Sequence, residues 1–205
     1  YHKKTVPHFH LGMPEFHLHA TIQHNPLKVV EGTLTHRDIF GIKRQRQKRS
    51  VAMILDTSGS MYGRLLLNAA LTTSVLSYNM EDENYSIILF NSTAMPLKKM
   101  DEKKKVSAII DDILDSEAVG FTNISIGLKR GLKELNKVKT KKQNKFGILI
   151  SDGNYNRGDD PLLLAEEYPQ LHVIGMPAEN DPRQGLETCK EIARRGKGKF
   201  YAVKD

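Results

Sequence analysis

At 205 residues and 23.2 kDa the chain fits one globular domain of ordinary size with an appendage, and 39% hydrophobic residues supply a core, so disorder of the whole chain is excluded. The net charge of +7 is unevenly spread: residues 1–50 hold nine of the 31 Lys and Arg but three of the 24 Asp and Glu, so the rest of the chain carries only +1. The single cysteine, Cys189, rules out an internal disulfide and a cysteine-rich metal site, and no run approaches the ~18 apolar residues of a membrane span.

Residues 1–50 contain seven of the eight histidines and are broken into short pieces by Pro7, Pro14 and Pro26. Phe16-His17-Leu18-His19-Ala20-Thr21-Ile22 alternates like a half-exposed strand, which sets His17 and His19 on one face. With His8 and His10 they form a candidate zinc site, although histidines scattered on a polar segment are more often solvent-facing. The run Lys43, Arg44, Arg46, Lys48 and Arg49 reads as a solvated linker or a contact for an acidic partner, with Lys43, Arg44 and Arg46 as the candidate contacts. No aromatics are interleaved with it, which argues against nucleic acid. This segment is therefore expected to be a basic, His-rich extension, and residues 51–205 the folded domain. Tyr1 in place of an initiator Met makes a fragment or a trimmed chain the expectation, and no signal-peptide core is visible.

From residue 51 onward, short apolar runs alternate with amphipathic stretches. Val51–Leu55 is a strand buried on both faces that ends in Asp56. Gly63–Asn79 is helical, Tyr85–Phe90 a strand, and Glu102–Leu114 a helix with Val106, Ile109, Ile110 and Ile113 on one face. Thr122 lies in a loop before a helix over Ile124–Leu135. Phe146–Ile150 is a third strand, ending at Ser151-Asp152-Gly153. A helix over Pro161–Tyr168, a strand over His172–Gly175, a helix over Gly185–Arg194 and a strand over Phe200–Val203 complete the series. The fold class is therefore α/β: a doubly wound, mostly parallel sheet covered by helices on both faces, with an N-terminal extension. Ligands of such sheets bind at the carboxyl ends of strands. Asp56 and Asp152 both lie there.

Asp56-Thr57-Ser58-Gly59-Ser60 offers a carboxylate and two hydroxyls at i, i+2 and i+4 on one tight loop. Thr122 and Asp152 add two more oxygens. An all-oxygen set suits a hard cation such as Mg²⁺ rather than zinc or copper. Each element alone has an ordinary reading: a strand-to-helix turn for the first, a helix N-cap for Thr122, a turn dipeptide for Asp152-Gly153. Other chemistries fit poorly. A phosphotransferase with an Asp nucleophile wants a second carboxylate where Ser58 stands. A serine nucleophile needs a His base, and the domain's only one, His172, falls inside a predicted strand. No G-x-G-x-x-G is present. No catalysis by this chain alone is expected.

D-x-S-x-S, a loop Thr and a strand-end Asp, in that order, resemble the metal-ion-dependent adhesion site of von Willebrand factor A and integrin I domains. The likeness spans about residues 50–205 and includes Thr122-Asn123-Ile124 and Asp152-Gly153 with Asn156. Phe121 departs from the Gly common before the Thr, and Ser151 stands where Thr is frequent. The resemblance implies a Rossmann-like fold, direct coordination of Mg²⁺ (or Mn²⁺ or Ca²⁺) by Ser58, Ser60 and Thr122, and Asp56 and Asp152 acting through water. An Asp or Glu of a partner protein would complete the cation's shell.

His17–Ile22, then Thr35-His36-Arg37-Asp38-Ile39 and the basic run, resemble the region before the A domain in magnesium- and cobalt-chelatase D-type subunits. Those work with AAA+ ATPases, as a related set does with MoxR-type ATPases. Phe121-Thr122-Asn123 departs from the Thr-Pro form of that branch. The resemblance implies a cytoplasmic subunit that couples an AAA+ ATPase to its client; an extracellular adhesion or matrix-binding module is the alternative.

Overall fold

Residues 2–7, 9, 15–45, 48–116, 118–177 and 182–203 are described in a computed structural model of the chain. It divides into two units, Tyr1–Gln47 and Lys48–Asp205.

The first unit holds strands β1 (His2–Val6) and β2 (Glu15–Phe16), helices α1 (Leu18–His24) and α2 (Pro26–Glu31), and strand β3 (Gly41–Gln45). The sheet order is β1-β3-β2, with both outer strands antiparallel to β3. The strand expected over residues 16–22 is corrected to a helix beginning at Leu18. The alternation misleads because the buried residues of α1 are the adjacent Ala20 and Thr21, while Leu18 and Ile22 are exposed. The His17 ring closes the first turn, Nδ1 accepting from Ala20 N at 3.1 Å. Thr21 ties the helix down by donating to the His17 carbonyl and accepting from Phe40 N at 2.9 Å. The shared strand face for His17 and His19 therefore does not exist, and His8 and His10 lie outside the described residues. Of the basic run, Lys43 and Arg44 sit in β3, paired in register with Lys4 and Lys3, Lys48 and Arg49 lie outside helix and strand, and Arg46 lies outside the described residues.

The second unit runs β4 (Ser50–Asp56), α3 (Arg64–Asn79), β5 (Asn84–Phe90), β6 (Ala94–Lys98), α4 (Val106–Leu114), α5 (Ile124–Asn136), β7 (Lys145–Ser151), α6 (Pro161–Glu167), β8 (Leu171–Gly175), α7 (Pro182–Arg195) and β9 (Lys197–Ala202). The sheet order is β6-β5-β4-β7-β8-β9, parallel except for β6. This is the expected doubly wound α/β architecture. Val51, Met53 and Leu55 point to one face, where Leu66, Ala69 and Ala70 of α3 and Ile109 and Ile113 of α4 meet them. Ala52 and Ile54 point to the other, against Leu128 of α5 and the layer of α6 and α7. All five residues from Val51 to Leu55 are fully buried, and each large side chain among them contributes about 1.5–3 kcal/mol. Truncating Ile54 would cost about 2–5 kcal/mol through the cavity left behind.

The strand β6 escapes a reading from hydrophobic pattern because Pro96 interrupts it. Proline is tolerated there because β6 is an edge strand, and the ladder with β5 is irregular at Ile87/Ile88. The helix expected from Glu102 starts only at Val106. Among the described residues no helix is long and apolar enough to cross a membrane.

The topology fixes where a site can form. β5 and β7 flank β4 on opposite sides, so the strand order reverses at the carboxyl end of β4. Asp56 is the last residue of that strand.

Candidate metal centre

Asp56 is fully buried. Its Oδ1 accepts from Ser58 N at 2.9 Å, which bends the chain directly off the strand. The register that pairs Leu55 with Ile150 brings Ser151 beside Asp56, and Ser151 Oγ donates to Asp56 Oδ2 at 2.6 Å. Ser58 and Ser60 follow around a 3-10 turn, Gly59–Met61, with their hydroxyl oxygens 3.2 Å apart. Ser58 is buried, whereas Ser60 is exposed.

The Thr122 loop is laced to this turn from one side. Gly59 N donates to the Gly120 carbonyl at 3.3 Å. Gly120 adopts φ +87°, a left-handed conformation that strains any side chain, and Ser92 Oγ lies 3.0 Å from where a Cβ would stand. Beyond it Thr122 is buried, and its N–H donates to Asn156 Oδ1 at 3.0 Å. The Thr122 carbonyl accepts in return from Asn156 N at 3.1 Å and Arg157 N at 3.2 Å. Asn123 then caps α5, accepting from Ile126 N at 3.1 Å.

Asp152 arrives one residue past the carboxyl end of β7. Its Oδ1 accepts from Asn154 N at 3.0 Å. The turn behind it needs Gly153, whose φ is +81° and whose missing Cβ makes room for the Gly185 carbonyl of α7. Three loops thus hold Asp56, Ser58, Ser60, Thr122 and Asp152 at one edge of the sheet.

The charges in this cluster are poorly satisfied. Asp152 is 1% exposed, yet its Oδ2 is buried with no hydrogen-bond partner. Burial pushes the Asp56 carboxyl up to about 7, and Asp152 adds to the shift, while the bonds from Ser151 and Ser58 oppose it. A buried carboxylate oxygen without a donor costs free energy unless a cation faces it. Two carboxylates and three hydroxyls form a hard, all-oxygen donor set, so these residues fit Mg²⁺. No group of three or more His, Cys, Asp or Glu side chains suited to a metal occurs among the described residues; hydroxyls make up the count here instead. Ser58 and Ser60 bond each other, and among the described residues neither is paired with a histidine base.

His172 serves the fold, accepting from Lys199 N at 3.1 Å and meeting the Phe146 ring edge-on. Cys189 is buried beneath the site, its thiol pushed far up by burial and by the two aspartates. Three supporting residues lie outside the ligand set expected from the sequence. Ser151 supplies the hydroxyl that orients Asp56. Ser92 accepts from Phe121 N at 3.0 Å and so braces the Thr122 loop, and the Asn91 carbonyl takes Asn123 N at 3.0 Å. Asn91 and Ser92 follow the carboxyl end of β5, so the strand-end rule applied to every strand would have found them.

The family model for the von Willebrand factor type A domain matches residues 50–205. An uncharacterized protein of Synechocystis, sll0103, is 31% identical over 140 residues, covering 64% of this chain and 33% of that protein. Human inter-alpha-trypsin inhibitor heavy chain H3 is 29% identical over 124 residues, 54% of this chain and 14% of that one. The chain thus spans a third or less of these relatives. An aerotolerance-related membrane protein of Bacteroides fragilis shares the fold, with a TM-score of 0.63 at 20% identity over 77% of this chain and 92% of that chain.

Proposed function

Because the chain belongs to the von Willebrand factor type A family, whose domains are protein-interaction modules, we propose that it grips an acidic residue of a partner protein through a Mg²⁺ held by Asp56, Ser58, Ser60, Thr122 and Asp152. The observation that carries this reading is the Asp152 Oδ2 atom, buried without a partner beside the fully buried Asp56. A site that leaves two adjacent buried carboxylates facing only neutral donors is incomplete, and a divalent cation completes it.

Ser58, Ser60 and Thr122 would hold the cation with neutral hydroxyls, and Asp56 and Asp152 would balance its charge and orient those hydroxyls. Bound there, Mg²⁺ supplies an electron-poor position open to a carboxylate. Ser151 fixes the Asp56 carboxylate, and the Asn156 amide fixes the Thr122 backbone. Mn²⁺ or Ca²⁺ would serve the same donors.

The partner we propose is an AAA+ ATPase subunit or its client, in a cytoplasmic setting. The support is the likeness of residues 17–49 to the segment before the A domain of chelatase D-type subunits, together with the single cysteine. Lys43, Arg44 and Arg46 are proposed as further contacts to the same acidic partner. Lys43 stands opposite Lys4 across the ladder, and like charges there repel unless something acidic faces them.

The test is capture from native extract in Mg²⁺ or in EDTA. Recovery of an ATPase only with metal is the expected result. Recovery that ignores EDTA sinks the metal reading, and a surface glycoprotein or matrix partner sinks the AAA+ assignment.

A further inference from the structure

The rim of the metal centre carries a cation, Arg157, beside which no carboxylate stands among the described residues. Arg157 is exposed, and its guanidinium lies over the Phe121 ring with Cζ 4.4 Å from the centroid. Its backbone is bonded to the carbonyl of Thr122, one of the proposed ligands. The acids nearest to it in the chain are occupied: Asp159 pairs with Lys129 at 2.7 Å, and Asp160 caps α6 by accepting from Leu162 N at 2.9 Å. Among the described residues no carboxylate comes within salt-bridge reach of Arg157.

Phe121 stands where the resemblance leads one to expect glycine. Phe121 is 51% exposed, and its ring meets the Arg157 guanidinium. An arginine lying on an aromatic face is held in one plane while the N–H edge of its fork stays free. That edge matches a carboxylate in bidentate geometry. Ordering the side chain before the partner arrives also lowers the entropy lost on binding.

We propose that Arg157, held on Phe121, is a second anchor for the partner, so that the site selects a segment bearing two carboxylates, one for the metal and one for the guanidinium. The inference rests on the metal reading above and names the chemistry of the partner segment. A partner with a lone acid would satisfy the cation and leave Arg157 unpaired.

A disulfide-constrained peptide library displayed on phage, selected on the full chain in Mg²⁺ and eluted with EDTA, tests this. Expected are peptides with two acidic residues at one fixed spacing. Selection on Arg157→Ala should retain one acid and lose the second. A peptide selected on the wild type should bind Arg157→Ala about tenfold more weakly, with part of the loss restored in Arg157→Lys. Phe121→Gly should cost less, because the guanidinium remains but is no longer held. Free Mn²⁺ measured by electron paramagnetic resonance should show unchanged metal affinity in all three variants, which a merely structural role for Arg157 does not require. Wild-type peptides with a single invariant acid, or equal binding to Arg157→Ala, overturn the proposal. Failure to enrich any EDTA-eluted peptide overturns the metal reading itself, and this inference with it.

Discussion

Two buried acidic sites in the second unit treat their charge in opposite ways. Glu134 on α5 is completely buried, but Lys137 Nζ lies 2.7 Å from its Oε1 and Arg130 is close by at 3.5 Å. Its Oε2 accepts from Met100 N at 3.4 Å. At the carboxyl edge of the sheet Asp56 receives only neutral donors, and one oxygen of Asp152 receives none. The first carboxylate is neutralised from within, and removing it should harm the fold. The second pair is left for something from outside, and removing it should harm binding. Burial of a charge alone does not mark a functional site; burial without an internal counter-charge does.

The sharpest way to break this contrast is Asp56→Ala. Loss of the carboxylate should weaken metal-dependent partner capture about 10- to 100-fold, while thermal unfolding of the metal-free protein stays within a few degrees of the wild type or rises. Undiminished capture in Mg²⁺ would remove the basis for the site. Next in size is the effect of the cation. At ~100 times its dissociation constant Mg²⁺ should stabilise the protein by about 2.7 kcal/mol, read as a rise in Tm of roughly 5–10 °C, and Asp56→Ala should abolish that rise. Glu134→Gln gives the converse. It should destabilise by about 2 kcal/mol, since Lys137 and Arg130 are partly exposed and can turn to water. Urea unfolding should show the same loss with or without Mg²⁺, and partner capture should be unaffected; a loss that Mg²⁺ repaired would erase the distinction between the two regions.

The same contrast explains which parts were legible in the sequence. Val51–Leu55, Tyr85–Phe90 and Phe146–Ile150 are apolar runs long enough to be buried strands and little else, and each ends where the site begins. The five oxygens follow from that placement and from motif order. Less legible were elements whose pattern conflicts with their packing. Helix α1 hides because its exposed side carries Leu18 and Ile22, and β6 hides because an edge position excuses Pro96. The unsatisfied Asp152 oxygen and the Arg157–Phe121 contact depend on which loops meet in space. No local spacing encodes that meeting; Thr122 and Asn156 stand 34 positions apart and are brought together only by the fold.

A smaller effect probes the unpaired charge directly. Burial raises the Asp56 carboxyl to about 7 in the folded, metal-free protein, from an ordinary value of 3.8. Between those two values the folded state holds a proton that the unfolded state has released. Stability must therefore fall as pH rises through that window, with the full cost present above about 7. From pH 5.5 to 8 the contribution of this one group is about 1–2 kcal/mol. Other carboxylates titrate in the opposite sense, Glu191 among them, held down to about 2 by the bonds from Arg194 and Arg195. The comparison is therefore between wild type and Asp56→Asn, each unfolded by urea in EDTA at both pH values. The wild type should lose stability relative to the variant on going to pH 8, and Mg²⁺ should cancel the difference by neutralising the same carboxylate. A wild type and variant that run parallel across the range would mean that Asp56 is already neutralised from within, as Glu134 is, and that the two regions do not differ in the way the geometry indicates.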